Sequence, residues 1–178
     1  MSALVPVEGN FIAIESEGGH MSLAAETLRE EAVLAIMRRR FDHVSAERIL
    51  SGPGLVNLYN ALCELSGAPA ASFTAPQITD PRIDEEDHRA REAKQMFCEL
   101  LGSVAGNFAL TFGARGGIYI AGGIAPKLSD FIGRSGFRTR FESKGRLRSY
   151  LTAVPTCIVQ HPWPALLGAA QLLTHCAV

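Results

Sequence analysis

The sequence has little net charge and no extended region of one sign. Seventeen lysines and arginines oppose 18 aspartates and glutamates, so the 178 residues have a formal net charge of -1. Proteins that bind nucleic acid gather basic residues on one face. The one dense basic run is Arg38–Arg40, which is typical of the charged end of a helix. We therefore expect no nucleic-acid partner.

The sequence also lacks a long apolar run and a targeting signal. The longest weakly polar stretch, Leu100–Ala114, has 15 residues, whereas a helix that spans a membrane needs about 20. Met1–Glu15 has neither the basic start nor the cleavage site of a signal peptide. We expect a cytoplasmic protein without membrane contact.

Metal-site and redox motifs are missing as well. The four cysteines form no Cys-x-x-Cys pair, so we expect buried free thiols in a reducing compartment. Four of the five histidines show no metal-ligand spacing and are interpreted as structural or solvated. The cysteines are Cys63, Cys98, Cys157 and Cys176, and these histidines are His43, His88, His161 and His175.

The length and the patterning predict one α/β domain. Hydrophobic residues make up 47% of the chain, which is enough to bury a core. We predict a hairpin over residues 5–14, short strands at 118–121 and 156–159, and a loop over 68–84. This order of elements predicts a mixed β-sheet flanked by helices.

Capping motifs predict where the helices begin. Thr27 and Glu30 form a capping box that opens a helix with Leu28, Ala32 and Ile36 on one face. Three further helices are expected. One begins at Ser51 with proline in its first turn and ends at Gly67, and the others span 85–112 and 164–173.

Two short stretches have side chains suited to a polyhydroxylated ligand. Glu17-Gly18-Gly19-His20 follows a predicted strand and places a carboxylate and an imidazole at one turn. Glu47 lies just before the helix that begins at Ser51. From the residues alone, a solvated tight turn is the favoured interpretation of the first stretch, and interaction with the helix dipole is the favoured interpretation of Glu47.

A second candidate site lies where the third strand ends. Gly122 and Gly123 follow that strand, and ligands of open α/β sheets bind beyond the carboxyl ends of strands. An ordinary strand-to-helix turn is the alternative. The sequence has no Gly-x-Gly-x-x-Gly and no Walker A motif, which excludes a Rossmann dinucleotide site and a P-loop.

Together these stretches resemble the bacterial glucokinase family. The similarity runs through the whole chain, in order, and its longest part is the stretch from Ser45 to Tyr59. The chain lacks the cysteine-rich zinc motif of the related repressor-type sugar kinases, so it resembles the zinc-free branch. The matching segments are Glu17–His20, His43–Tyr59, Gly116–Ile124, Ser135–Arg138 and Phe141–Arg146.

The resemblance implies ATP-dependent phosphorylation of glucose at its 6-hydroxyl by an actin-like/hexokinase-type (ribonuclease H-like) fold. Glu17, His20 and Glu47 match the family's glucose-binding residues, which would hold hydroxyls at the ring end remote from the 6-hydroxyl. Gly122 and Gly123 match its ATP-binding motif. The implied cofactors are ATP and Mg²⁺, without zinc.

Three motifs of the family have no match in this sequence. These are the Asp-x-Gly-Gly-Thr loop, the Asn-Asp pair with the catalytic aspartate, and the Gly-Thr-Gly-Leu-Gly loop. The resemblance therefore implies that residues 1–178 form the C-terminal, larger lobe without the N-terminal lobe. We expect no catalytic residue in this chain and little or no kinase activity from the chain alone.

One alternative belongs to a different functional class. The chain could be a stand-alone module that binds a sugar or another protein without kinase activity. A monodisperse monomer with affinity for glucose would favour the module. Aggregating or homodimeric material without affinity would favour a lobe whose apolar surface is uncovered.

Overall fold

The computed structural model describes residues 1–176, which form helices around one core and two short β-sheets. The strands are β1 (Ser2–Val7), β2 (Asn10–Glu15), β3 (Ile118–Ile120) and β4 (Thr156–Ile158). The helices are α1 (Leu28–Arg38), α2 (Gly52–Leu65), α3 (Ala75–Thr79), α4 (Ile83–Glu86), α5 (His88–Thr111), α6 (Ser129–Arg134), α7 (Phe137–Glu142), α8 (Arg148–Thr152) and α9 (Pro164–Cys176). Short 3₁₀ turns occur at Gly18–His20, Ala46–Arg48 and Gly145–Leu147.

The strands form two separate pairs instead of one mixed sheet. β1 and β2 are antiparallel around a two-residue turn in which Glu8 and Gly9 have φ angles of 49° and 83°. β3 and β4 are parallel. The α/β class is confirmed. The predicted single mixed sheet is not found, because the described strands form two separate two-stranded sheets. Hydrophobic periodicity identifies strands but does not determine which strands pair with each other, which explains why one sheet was predicted and two are found.

Helix α1 has the predicted capping box but a different buried face. The Thr27 hydroxyl accepts a hydrogen bond from the Glu30 amide, and the Glu30 carboxylate accepts from the Thr27 amide. Leu28, expected on the buried face, is 91% exposed because it lies on the side of the helix opposite to the residues that reach the core. The core face comprises Val33, Leu34, Ile36 and Met37.

Helices α2 and α5 form the centre of the molecule. The Gly54 amide donates to the hydroxyl of Ser51, which caps α2 as predicted. Helix α5 begins at His88 instead of residue 85 because Asp87 is extended and separates it from α4. The predicted loop over 68–84 contains α3, whose capping box is formed by Thr74 and Gln77.

Two glycines bring α5 against α7. A Cβ on Gly102 would clash with the backbone oxygen of Phe137, and a Cβ on Gly106 would lie 2.5 Å from the backbone oxygen of Phe141. The two helices therefore touch backbone to backbone at these positions. The phenyl rings of Phe137 and Phe141 are buried beside this contact.

The free cysteines are not all buried. Cys63 and Cys98 are buried, and burial raises the pKa of the Cys98 thiol to about 12. Cys157 is exposed, contrary to expectation, because it lies on the open face of a two-stranded sheet. The side chains of Cys176 and His175 lie outside the described residues. No helix in residues 1–176 is long and apolar enough to span a membrane.

Candidate functional site

Glu17, His20 and Glu47 lie together although 27 residues separate His20 from Glu47. The imidazole Nε2 of His20 is 3.1 Å from Oε2 of Glu47 and 3.9 Å from Oε2 of Glu17. All three side chains are open to solvent, with 63%, 56% and 92% exposed for His20, Glu47 and Glu17. The structure therefore places one imidazole between two carboxylates on an accessible surface.

A short antiparallel ladder fixes the two turns that carry these residues. The Leu23 amide donates to the Val44 carbonyl at 3.0 Å, and the Ala46 amide donates to the Met21 carbonyl at 3.0 Å. The ladder begins directly after the Glu17–His20 turn and ends directly before Glu47. Its hydrogen bonds set the separation of the two carboxylates.

Glu47 is also held by the start of α2. The Ser51 hydroxyl donates to the Glu47 carbonyl at 2.8 Å while it accepts from the Gly54 amide at 3.0 Å. A carboxylate beside a helix N-terminus is stabilised by the helix dipole. The site and the cap of α2 are therefore one local structure.

His43 supports the site through the backbone. Its Nε2 lies 2.9 Å from the carbonyl oxygen of His20. Sequence reasoning interpreted His43 as structural or solvated, and the structural role agrees with this contact. The residue pattern did not predict that His43 lies near the site. The one indication was its position in a stretch that resembles the family.

Close approach of a phenyl ring explains the first of the two glycines in the Glu17–His20 turn. A Cβ on Gly18 would lie 2.7 Å from Cε1 and 2.9 Å from Cζ of Phe108 in α5. The position of Gly19 is roomier, since its nearest neighbour would be Cβ of Glu47 at 4.0 Å. Gly18 is therefore the residue through which the turn packs against Phe108 of α5. Sequence reasoning did not identify Phe108.

A cavity of about 260 Å³ lies behind the turn. It is lined by Gly18 and Phe108 and by a polar cluster of Glu26, Ser103 and Lys144. The Lys144 ammonium donates to the Ser103 hydroxyl at 3.0 Å and lies 3.5 Å from the Glu26 carboxylate. The Ser103 hydroxyl in turn donates to Glu26. This cluster connects α5, through Ser103, to the segment that follows the ladder, through Glu26.

Gly122 and Gly123 form an open stretch of backbone after β3. Gly122 has a φ of 116°, a conformation that favours glycine. A Cβ on either residue would meet no other atom within 4 Å, and both residues are exposed. The space beside the backbone is therefore free for a ligand.

The arrangement at Glu17, His20 and Glu47 suits hydroxyl groups. Two carboxylates accept hydrogen bonds, and an imidazole can donate or accept. Within residues 1–176, no group of three or more acidic, histidine or cysteine side chains is arranged to hold a metal ion.

Comparison with known proteins assigns this chain to a family. The family model for glucokinase matches residues 1–176. The chain is 50% identical over 175 residues to the glucokinase of Aromatoleum aromaticum, covering 98% of this chain and 53% of that protein. It is 49% identical over 178 residues to the glucokinase of Chromobacterium violaceum, covering 99% and 51%. The chain thus spans about half the length of the curated relatives it matches.

Solved structures give the same result. A glucokinase from an Antarctic psychrotroph superimposes with a TM-score of 0.88 at 37% identity, covering 97% of this chain and 53% of that one. A glucokinase from Balamuthia mandrillaris, solved in complex with glucose, superimposes with a TM-score of 0.73 at 19% identity. That match covers 86% of this chain and 45% of the other, and it shows a shared fold.

Proposed function

The chain belongs to the glucokinase family, and we propose that it is the C-terminal, larger lobe of an enzyme that phosphorylates glucose with ATP. The observation that carries this proposal is that the side chains of Glu17, His20 and Glu47 lie close together. The first two belong to one matching stretch of sequence and Glu47 to another, and a hydrogen-bonded ladder joins them. We place the enzyme in the cytoplasm.

In this proposal the three side chains bind the sugar end that is remote from the 6-hydroxyl. Glu17 and Glu47 accept hydrogen bonds from ring hydroxyls. His20, whose Nε2 lies 3.1 Å from Glu47, donates to that carboxylate and is held ready for a third hydroxyl. Their task is to bind and orient glucose so that its 6-hydroxyl points away from this lobe.

ATP is proposed to lie along Gly122 and Gly123. The open space beside these residues allows the flat part of a nucleotide to reach the backbone, and a side chain at Gly122 would be strained. Mg²⁺ would be held by the phosphates of ATP, since the described residues offer no cluster of ligands for it. When bound, it neutralises charge on the phosphoryl group. Zinc has no role in the proposal.

Phosphoryl transfer also needs a base and loops that bind phosphate, and these have no counterpart among residues 1–178. We propose that another lobe supplies them and closes over the substrate. The exposed apolar side chains of the β1–β2 hairpin support this idea, because soluble proteins rarely leave such a patch uncovered. These side chains are Leu4, Val5, Val7, Phe11, Ile12 and Ile14.

The proposal is tested on the protein isolated from its source. Its intact mass is compared with 19.1 kDa for this chain, and its glucose phosphorylation is assayed with ATP and Mg²⁺. We expect a mass of about 35 kDa, as for two domains of ordinary size, together with activity that the 178-residue chain alone lacks. A 19 kDa protein that binds glucose without phosphorylating it would replace this proposal with a stand-alone binding module.

A further inference from the structure

The Glu17–His20 turn has a hollow on its inner side. The 260 Å³ cavity begins at Gly18 and continues past Met21 and Ala46, which are joined by a hydrogen bond of the ladder. Met21 and other lining residues are exposed, so the cavity opens to solvent and the turn lacks packed neighbours where it borders the cavity. The contacts that do exist there decide how far the turn can move.

Phe108 provides the contact that faces this hollow. Its side chain is buried in α5, and its ring carbons Cε1 and Cζ are the atoms closest to a Cβ built on Gly18. The third is the Ser16 hydroxyl oxygen, which accepts a hydrogen bond from the Gly18 amide at 3.1 Å. The ring therefore limits inward movement of the turn. Ser16, which directly follows β2, holds the Gly18 amide by a hydrogen bond.

We propose that Phe108 is a positioning residue for the sugar-binding carboxylate and imidazole of the Glu17–His20 turn. This inference rests on the proposed function, because it assigns Phe108 to that same site. Phe108 acts through Gly18, the residue of the turn that its ring approaches. Removing the ring enlarges the existing cavity and lets the turn sink away from Glu47.

The matched control is Phe112, one helical turn further along. The two rings are stacked with centroids 6.4 Å apart, and the atoms closest to Gly18 belong to Phe108 and Ser16. Phe112→Ala removes the same atoms as Phe108→Ala without uncovering the turn. A general loss of packing would affect both variants, whereas loss of positioning affects one.

The experiment measures kcat and KM for glucose in the complete native protein. We expect Phe108→Ala to raise KM about tenfold and to leave kcat within about twofold, because a misplaced binding group weakens sugar binding. Phe108→Leu should raise KM less, and Phe112→Ala should leave KM unchanged. An unchanged KM in Phe108→Ala, or an equal rise in Phe112→Ala, overturns the inference. If Phe108→Ala does not fold, Phe108→Leu decides: a raised KM supports positioning and an unchanged KM overturns it.

A second measurement separates failure of this inference from failure of the proposed function. Absence of glucose phosphorylation in the unaltered protein would contradict the proposed function alone. Positioning is then judged from backbone amide resonances: Phe108→Leu should shift those of Gly18, Gly19 and His20 and leave Gly123 unchanged. Unshifted resonances in the turn would overturn the inference by themselves.

Discussion

At the scale of single residues, Glu47 is positioned from both sides. The Ser51 hydroxyl holds its carbonyl, and the His20 imidazole lies 3.1 Å from its carboxylate. The side chain itself is more than half exposed. The carboxylate is therefore held in place and open to solvent, as a group that binds a ligand must be.

Glu47→Gln should weaken glucose binding by the native protein about 10- to 100-fold. A hydrogen bond to a charged group contributes about 1.5–3 kcal/mol once the ligand covers it, and about 1.4 kcal/mol corresponds to a factor of ten. The dissociation constant is measured by calorimetry, with Glu86→Gln as a control for loss of an exposed carboxylate. Unchanged affinity in Glu47→Gln would remove Glu47 from the site.

The two glycines of the turn should respond differently to alanine. Gly18→Ala should lower the free energy of unfolding by about 1–3 kcal/mol, because its Cβ would lie 2.7 Å from Cε1 of Phe108 and packed cores resist such insertion. Gly19→Ala, whose nearest neighbour would be 4.0 Å away, should change it by less than about 1 kcal/mol. Urea denaturation measures both. Equal effects would show that Phe108 does not restrain the turn.

The sequence identified Glu17, His20 and Glu47 as candidates by residue type and by resemblance. It could not show that Phe108, Ser103 and Lys144 lie behind the turn. An apolar residue in a helical pattern carries no sign of which loop it will contact. Those contacts arise from packing between distant segments, and one sequence contains no direct record of them.

At the scale of elements, the α5–α7 contact is the most sensitive to added volume. Gly102→Ala should destabilise the protein by about 1–3 kcal/mol because the methyl group clashes with the backbone of Phe137, which cannot move without displacing α7. Gly133→Ala, at an exposed position of α6, should instead stabilise by about 0.5–1 kcal/mol, since no atom lies within 4 Å of the added Cβ. Thermal melts of the two variants should therefore shift in opposite directions. A rise in melting temperature for Gly102→Ala would contradict the close packing.

The cap of α5 should make stability depend on pH. Burial alone raises the pKa of the Asp87 carboxyl, but hydrogen bonds from Arg89 and Tyr59 outweigh burial and leave this pKa below its usual range. A lowered pKa means that the ionised carboxylate stabilises the folded state above about pH 4. That contribution is lost as the pH falls through the pKa of the folded state.

The Asp87→Asn variant tests this dependence. At pH 6 it should be less stable than the unaltered protein by about 1–3 kcal/mol, and the difference should shrink as the pH falls from 4 to 3. Urea denaturation across this range measures the difference, with the exposed Asp42→Asn as control. A difference that stays constant with pH would show that ionisation of Asp87 does not stabilise α5.

Sequence patterns predicted the helix starts better than the sheet. Caps such as Ser51 and the Thr27–Glu30 box are local, so their residues suffice to place a helix N-terminus. Strands β3 and β4 are three residues long and are separated by three helices, so their parallel pairing depends on tertiary structure. The predicted buried face of α1 was wrong at Leu28, which lies on the side of the helix opposite to the buried residues.

At the scale of the whole molecule, the hairpin leaves apolar side chains on both of its faces. Val5 and Ile12 are cross-strand partners on one face, and Leu4 and Phe11 project from the other. In the proposed enzyme a further part of the protein covers these residues. In the isolated chain they should pair with another copy.

The isolated 178-residue chain should therefore self-associate, and the homodimer is the expected first step. Ile12→Lys should lower the association constant at least about tenfold, because burying an unpaired charge in an apolar contact is costly. Leu28→Lys, which replaces a more exposed side chain on α1, is the control and should leave association unchanged. Sedimentation of the three proteins decides. If the unaltered chain is strictly monomeric, the view that another part of the protein buries the apolar hairpin would be contradicted.

The central claim is that Glu17, His20 and Glu47 bind glucose, and a titration followed by NMR tests it most directly. Backbone amide spectra of the complete native protein are recorded with increasing D-glucose, and with L-glucose as the control. Among the residues of this chain, the account predicts saturable shifts for D-glucose at residues 17–20 and 46–48, together with their loss in Glu47→Gln. Absence of shifts there at saturating sugar, or equal shifts with L-glucose, would contradict it.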